Sequence, residues 1–564
     1  MIKQTLLFAI FFIHSFLFSQ KTNTDNKTTP IKEQIVLQTN TDFYLSGESI
    51  LYKTICLNQT NKETITLSKI AYVELVNSEN ISILKHKQVI NNGISYNDFF
   101  IPTNIETGNY KIIAYTNLTL NNSEYALKEI FIFNPYVQFP EKFKENNNNP
   151  EVVNLSNSID GNTISSKVKS NKKEYSKREK VSINIDDNLQ GNFVFNVVKI
   201  DSIPTIQEQK NTSIFSSVYN NLENQKNTAS LPETRGEVFS GKITSKNDGD
   251  DLENKKIALS IPGENFDFKI ASTDKNGNFK FLLDSFDGEE AYFQVFEKDK
   301  EKYKIELSEN QNIKTKNIEK DIKINPNYAN AFLKRSIANQ IQNIYYHTKS
   351  DTVFAYKKSK PFYYGSDKEY VLKDYNVQNA IKEVFIEIIP EVYISKKDGK
   401  QTFSVYDYEV NSSDIYYNTL VLVDGFLLQD VDEILTFDPA FFTKINFVNK
   451  GYFLNKYIFN GVVNLTTKDL NYVPKLENNY IINKKLDRPQ LRKTYYNIDY
   501  SKNNLEKIPD YRYQLCWKPN VTEISSQKAF EFYTSDVSGN YKITIEGITK
   551  SGESVSMENY IFVK

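Results

Sequence analysis

Cysteine, histidine and arginine are scarce in this chain of 564 residues, and each shortage closes off some chemistry. The two cysteines, Cys56 and Cys516, lie near opposite ends, so no disulfide framework is available. Only His86 and His347 stand outside the first twenty residues, which leaves too few ligands for a Cys/His zinc centre and few parts for His-dependent catalysis. Arg occurs 6 times against 63 Lys, so bidentate readout of bases or phosphates has little to work with. Charge of one sign is also absent: Lys+Arg 69 against Asp+Glu 70 gives a net charge of −1, and no field gathers nucleic acid. With 19 Gly and 16 Pro, collagen-like and low-complexity chains are excluded. Beyond the N-terminus no apolar run is long enough to span a bilayer as a helix.

What is abundant is ring-bearing and apolar: Tyr 37, Phe 38 and a hydrophobic share of 39%. That balance favours β-structure with packed cores. The length corresponds to several domains at roughly 100–200 residues each. Residues 1–20 read as an export signal: Lys3 in a short n-region, the apolar run Leu6 to Phe18, and a cleavage site at Ser19-Gln20. No Cys follows that run, so a lipid anchor is not expected. In an oxidising compartment, Cys56 in ILYKTICL and Cys516 beside Trp517 are then expected as buried thiols. Trp517 is expected in a core.

Turn signals divide the rest into β-rich modules. Residues 31–136 alternate short strands with SGE, NNG and ETGN turns, the pattern of a β-sandwich. Thr41-Asp42, Tyr44-Leu45-Ser46-Gly47-Glu48 and Gly108 to Thr116 (GNYKIIAYT) resemble the MG2 domain of the alpha-2-macroglobulin superfamily. That superfamily's covalent trap needs a Cys-Gly-Glu-Gln thioester, and neither cysteine has that context. Residues 152–232 read as a second, Ig-like β-module. Residues 233–307 carry Asp274-Lys275-Asn276-Gly277-Asn278 between strands, a hairpin signal. The order G-x-V…TDxxGxFxF there resembles the carboxypeptidase regulatory-like domain, a small transthyretin-like sandwich without peptidase residues. A helix is expected within 325–347, opened by Asn325-Pro326, with Phe332, Ile337, Ile341 and Ile344 as a packing stripe. A C-terminal β-module fills 505–564.

Residues 373–470 are the most informative. Leu420-Val421-Leu422-Val423 is a fully apolar strand ending in Asp424-Gly425, a tight turn. Asp438-Pro439 caps and starts a short helix. Lys444 to Gly451 (KINFVNKG) and Asn460-Gly461-Val462-Val463-Asn464-Leu465-Thr466-Thr467-Lys468 supply two further strands. In order and spacing this resembles the plug domain of TonB-dependent outer-membrane receptors. It departs from that family at 452–459, where YFLNKYIF replaces a Gly/Ala-rich stretch. Only 96 residues follow Lys468, too few for a transporter barrel of about 22 strands at about 9–11 residues each. The expected arrangement is therefore a plug without its barrel.

The fold class expected is mainly β: a string of Ig-like and transthyretin-like sandwiches, with one helix and a small α/β plug-like domain. The combination resembles exported Bacteroidetes-type proteins. It implies a non-catalytic subunit at the periplasmic face of the outer membrane, its partner an outer-membrane protein, a barrel or a secretion translocon. The alternative is a surface or periplasmic β-sandwich module that binds glycan or peptide. No G-x-S-x-G, HExxH, P-loop or G-x-G-x-x-G occurs, so neither enzyme activity, cofactor nor metal is expected. Asp424 and Asp438 could be imagined as paired catalytic carboxylates, but each sits beside a turn-maker. The residues singled out are structural: Asp424, Gly425, Asp438, Pro439, Gly451, Asn460 and Gly461.

Overall fold

A computed structural model describes residues 32–141 (139 excepted), 165–200, 215, 218–220, 231–308 (248 and 285–287 excepted), 313, 315, 324, 328–356, 362–406 (364, 377, 378 and 398 excepted) and 418–564 (473, 475, 477, 502–504 and 506 excepted). The expected export signal and Asn325-Pro326 lie outside them. The architecture is mostly β.

The first sandwich opposes two sheets. One holds Glu33–Thr39, Ser49–Asn58 and Ile94–Phe100; the other is built on Glu124–Phe133, Gly108–Tyr115, Ile70–Asn77 and Ser82–Val89. Alternate residues such as Ile35, Tyr52, Val73 and Ile112 point between them and are buried with Cys56.

The second module is not two separate ones, as 152–232 and 505–564 suggest, but a single sandwich assembled from both. Leu189–Lys199 pairs on one edge with Gln514–Ile524 and on the other with Gly539–Thr549. Lys180–Ile185 pairs with Phe530–Tyr533, and Glu174–Tyr175 with Ser554–Val563. Neither segment can cover its own apolar face. Phe193, Phe195 and Val197 find cover in Leu515, Ile543 and Ile545, and Cys516 joins the same core. Cys56 and Cys516 thus lie in different cores as free, buried thiols, pushed above the ordinary thiol range by burial. Trp517 is buried in a small cluster beside them, with Leu51 of the first sandwich and Val194.

The third sandwich packs Glu237–Ser245, Asn278–Leu283 and Tyr303–Leu307 against Asp267–Ser272, Lys256–Ile261 and Glu290–Val295. In its Asn-Gly turn, Asp274 accepts hydrogen bonds from the Asn276 and Asn278 amides. Ile481–Lys485, from far down the chain, adds an edge strand beside Glu290–Val295.

Among the described residues, three α-helices are short or peripheral: Asn117–Asn121, Ala329–Ile344 and Ile381–Glu387. The middle one reverses the expected packing stripe. Phe332 is buried, but Ile337 and Ile344 are exposed, and Arg335, Ser336 and Ala338 face inward. The cause is an ion pair: Arg335 clamps Glu48 of the first sandwich through Nε and Nη2, at 2.6 and 2.8 Å.

The last module is a five-stranded sheet in the order Lys368–Val371, Phe442–Leu454, Tyr457–Thr467, Leu420–Val423, Phe426–Leu427. Leu420–Val423 runs parallel to Tyr457–Thr467; the other neighbours are antiparallel. Helix Ile381–Glu387 and the hairpin Val392–Lys397/Lys400–Val405 cover one face.

Candidate functional site

The residues singled out from sequence all fall in this last module, and each has a local role. At the Asp424-Gly425 turn both residues are left-handed, φ +52° and +87°. That is the geometry a two-residue hairpin of the primed type demands. The Asp424 side chain does more than tolerate it. Buried in the module, its carboxylate accepts from the Thr467 N–H at 2.7 Å, the Thr467 hydroxyl at 2.6 Å and the Tyr472 N–H at 3.2 Å. The turn after one strand is thereby tied to the end of the strand NGVVNLTT. Thr467 stands in the quoted motif, but nothing in the sequence paired it with Asp424, 43 positions away.

Asp438 is exposed and caps a short 3-10 helix, Pro439–Phe441, by accepting from the Ala440 N–H at 2.8 Å. Its carboxylate serves this local cap, whereas that of Asp424 ties two strands, so the structure gives the two carboxylates separate tasks. Gly451 is exposed, at a register shift between Phe442–Leu454 and Tyr457–Thr467. Asn460 is buried, its N–H bonded to Asn418 O and its amide to Val405 O. Gly461 is left-handed at φ +78°, and a Cβ there would come within 2.4 Å of Val448 O.

The second face of the sheet shows what sequence reasoning missed. Leu420–Val423 is apolar throughout because both its faces are covered. Val421 and Val423 enter the module's own core, while Leu420 and Leu422 join Phe266, Phe268 and Ile270 of the third sandwich. The Phe426–Leu427 edge is sealed as well: Leu427 N–H donates to Ser260 Oγ, and Gln294 Nε2 donates to Leu427 O, both at 3.0 Å. A Cβ on Gly425 would stand 2.2 Å from Phe266 Cβ. The departure YFLNKYIF now has a purpose. Tyr452, Leu454 and Tyr457 pack on the same shared core, Tyr457 pairs its hydroxyl with Ser272 Oγ at 2.6 Å, and Asn455 bonds Ile270 O. A signal was present in the sequence: aromatic residues where the resembled family carries small ones.

After Thr467 the chain turns back. Residues 481–485 join the third sandwich, 492–494 pair with 352–354, and 514–563 complete the second sandwich. Among the described residues no three His, Cys, Asp or Glu side chains gather as a metal would need. No helix among them is long and apolar enough to cross a membrane.

No family model matches the chain, and no curated protein matches it. Solved structures similar to it include bacterial alpha-2-macroglobulins. The Salmonella protein reacted with methylamine gives a TM-score of 0.17 at 8% identity, over 94% of this chain and 23% of that one. The Escherichia coli protein activated by porcine elastase gives 0.22 at 8%, over 94% and 44%. Its native conformation gives 0.17 at 10%, over 95% and 22%. This chain thus spans less than half the length of each. The fold described above rests on its own strand registers.

Proposed function

We propose that this is a non-catalytic envelope protein, a binding, assembly or gating subunit at the periplasmic face of the outer membrane. Its plug-like module docks to a barrel or complex made by other chains, a secretion translocon being the sharper form of that reading. The observation that carries it is the path of residues 481–563, which return to the N-terminal sandwiches and lock the module onto a β-scaffold. Since both sheet faces are closed from within, docking uses the rim. There the Ile381 N–H meets Phe437 O at 2.8 Å, Ile386 is exposed, and the rings of Phe437 and Phe441 lie 5.6 Å apart.

The test is co-purification from solubilised outer membranes with mass spectrometry of the bound chains. A stoichiometric barrel protein, lost with Ile386→Asp, is the expected outcome. Recovery of the native chain alone overturns the docking reading. The second reading, a module that binds glycan or peptide, draws on a cavity lined by side-chain amides and apolar groups between the first two sandwiches.

A further inference from the structure

A cavity of about 170 Å³ lies where the hairpin turn of the first sandwich, the strand Gln514–Ile524 and the returning segment 490–492 meet. It shares Asn92, Asn192 and Thr522 with a shallower groove of about 650 Å³. Its walls are fixed. Gln490 N–H donates to Lys87 O at 2.8 Å, and Tyr356 Oη donates to Gln490 O at 2.6 Å. Asn192 Nδ2 donates to Thr64 Oγ1 at 2.8 Å. Gly93, left-handed at φ +77°, holds the turn where a Cβ would meet Thr64 and Ile65 O.

Side-chain amides, among them Asn92, Asn192, Gln490 and Asn520, share the lining with apolar surface, the Tyr356 ring and one charged group, Arg492. No carboxylate reaches the deep cavity, so it offers nothing to a cation. A primary amide presents a donor and an acceptor side by side, which matches a hydroxyl that is both. Tyrosine adds an apolar face with a polar edge. The volume holds about five or six waters at ~30 Å³ each, which is room for one sugar ring and not for a folded peptide. Arg492, exposed and with its guanidinium 5.7 Å from the Phe354 ring centre, supplies the cation of the lining. We infer that this cavity binds one terminal acidic sugar unit of a glycan, its hydroxyls on the amides and its carboxylate on Arg492, the rest of the glycan leaving away from the groove, where Glu63 and Glu523 would repel further acid groups. This rests on the glycan form of the second reading and is independent of rim docking.

The experiment titrates the mature full chain by calorimetry with an oligogalacturonate and with a neutral gluco-oligosaccharide of equal length. Saturable binding of the acidic oligomer is expected, with weaker binding of the neutral one. Arg492→Gln should weaken the acidic oligomer by at least about tenfold and leave the neutral one unchanged, as loss of a charge-assisted contact requires. Asn520→Ala should weaken both. Both residues are exposed, and unchanged melting temperatures show that the fold is kept. No saturable binding of either sugar, equal binding by Arg492→Gln and wild type, or displacement of the acidic sugar by an unrelated peptide each overturns the inference. Arg492→Gln should not change co-purification with a barrel, so the two readings fail separately.

Discussion

Removing the Asp424 carboxylate strands three donors in a dry setting: the Thr467 N–H and hydroxyl and the Tyr472 N–H. At about 1–3 kcal/mol for each group left unsatisfied, Asp424→Ala should cost about 3 kcal/mol or more. Asp438→Ala loses one exposed cap and should cost about 1 kcal/mol. Urea denaturation of both variants checks the contrast, and equal midpoints would contradict it. Gly425→Val meets two obstacles at once, a left-handed backbone and the Phe266 side chain. The backbone alone costs about 1–3 kcal/mol, and the collision should separate the five-stranded module from the third sandwich. Limited proteolysis should then cut within 420–472 sooner than in the wild type, while the first sandwich stays intact. The turn itself was legible, because Asp-Gly after an apolar strand is a local signal. The carboxylate's donors and the Phe266 contact were not, because both depend on residues far away in sequence.

Among the elements, the second sandwich makes the strongest demand. Its strands come from residues 168–199 and 514–563, and Leu189–Lys199 is flanked on both edges by strands of the C-terminal segment. A chain ending at residue 504 would leave Phe193, Phe195 and Val197 without the Ile543 and Ile545 side chains that bury them. Hydrogen exchange on that truncated chain should show protection lost over 180–199 and kept over 445–466. Persistent protection of 180–199 would mean the N-terminal strands hold alone. Residues 152–232 and 505–564 each read as β-rich, but strand patterning carries no information on which strand lies beside which. Helix Ala329–Ile344 was misread for a related reason. Periodicity selected the apolar stripe, whereas the Arg335–Glu48 pair turned the polar side inward.

For the molecule as a whole, two halves meet at one junction. The first and second sandwiches are joined by an amide chain: Asn196 Nδ2 to Asn40 O, Asn40 Nδ2 to Gln514 Oε1, and Gln514 Nε2 to Asn196 Oδ1. The third sandwich and the five-stranded module share a core. Between these halves stands a buried polar cluster, in which Lys87 pairs with Glu237 and Glu233 accepts from Tyr72 Oη and the Val238 N–H. Burial pushes the Glu233 carboxyl up to about 7, with Glu237 adding to the rise and Lys87 opposing it. A carboxyl raised in the folded state holds its proton more tightly there than in the unfolded chain. Its stabilising share is therefore complete below the ordinary value near 4.5 and is lost as pH climbs through about 7. Glu233→Gln keeps an acceptor for Tyr72 and cannot ionise. Its stability and that of the wild type should run together near pH 4.5 and diverge above it. Above pH 7 the variant should be the more stable by on the order of 2–3 kcal/mol. Urea denaturation between pH 4.5 and 8 measures the difference directly, and other titrating groups cancel between the two chains. Parallel curves would show that Glu233 ionises freely at the junction, and that the halves are not coupled to pH through it.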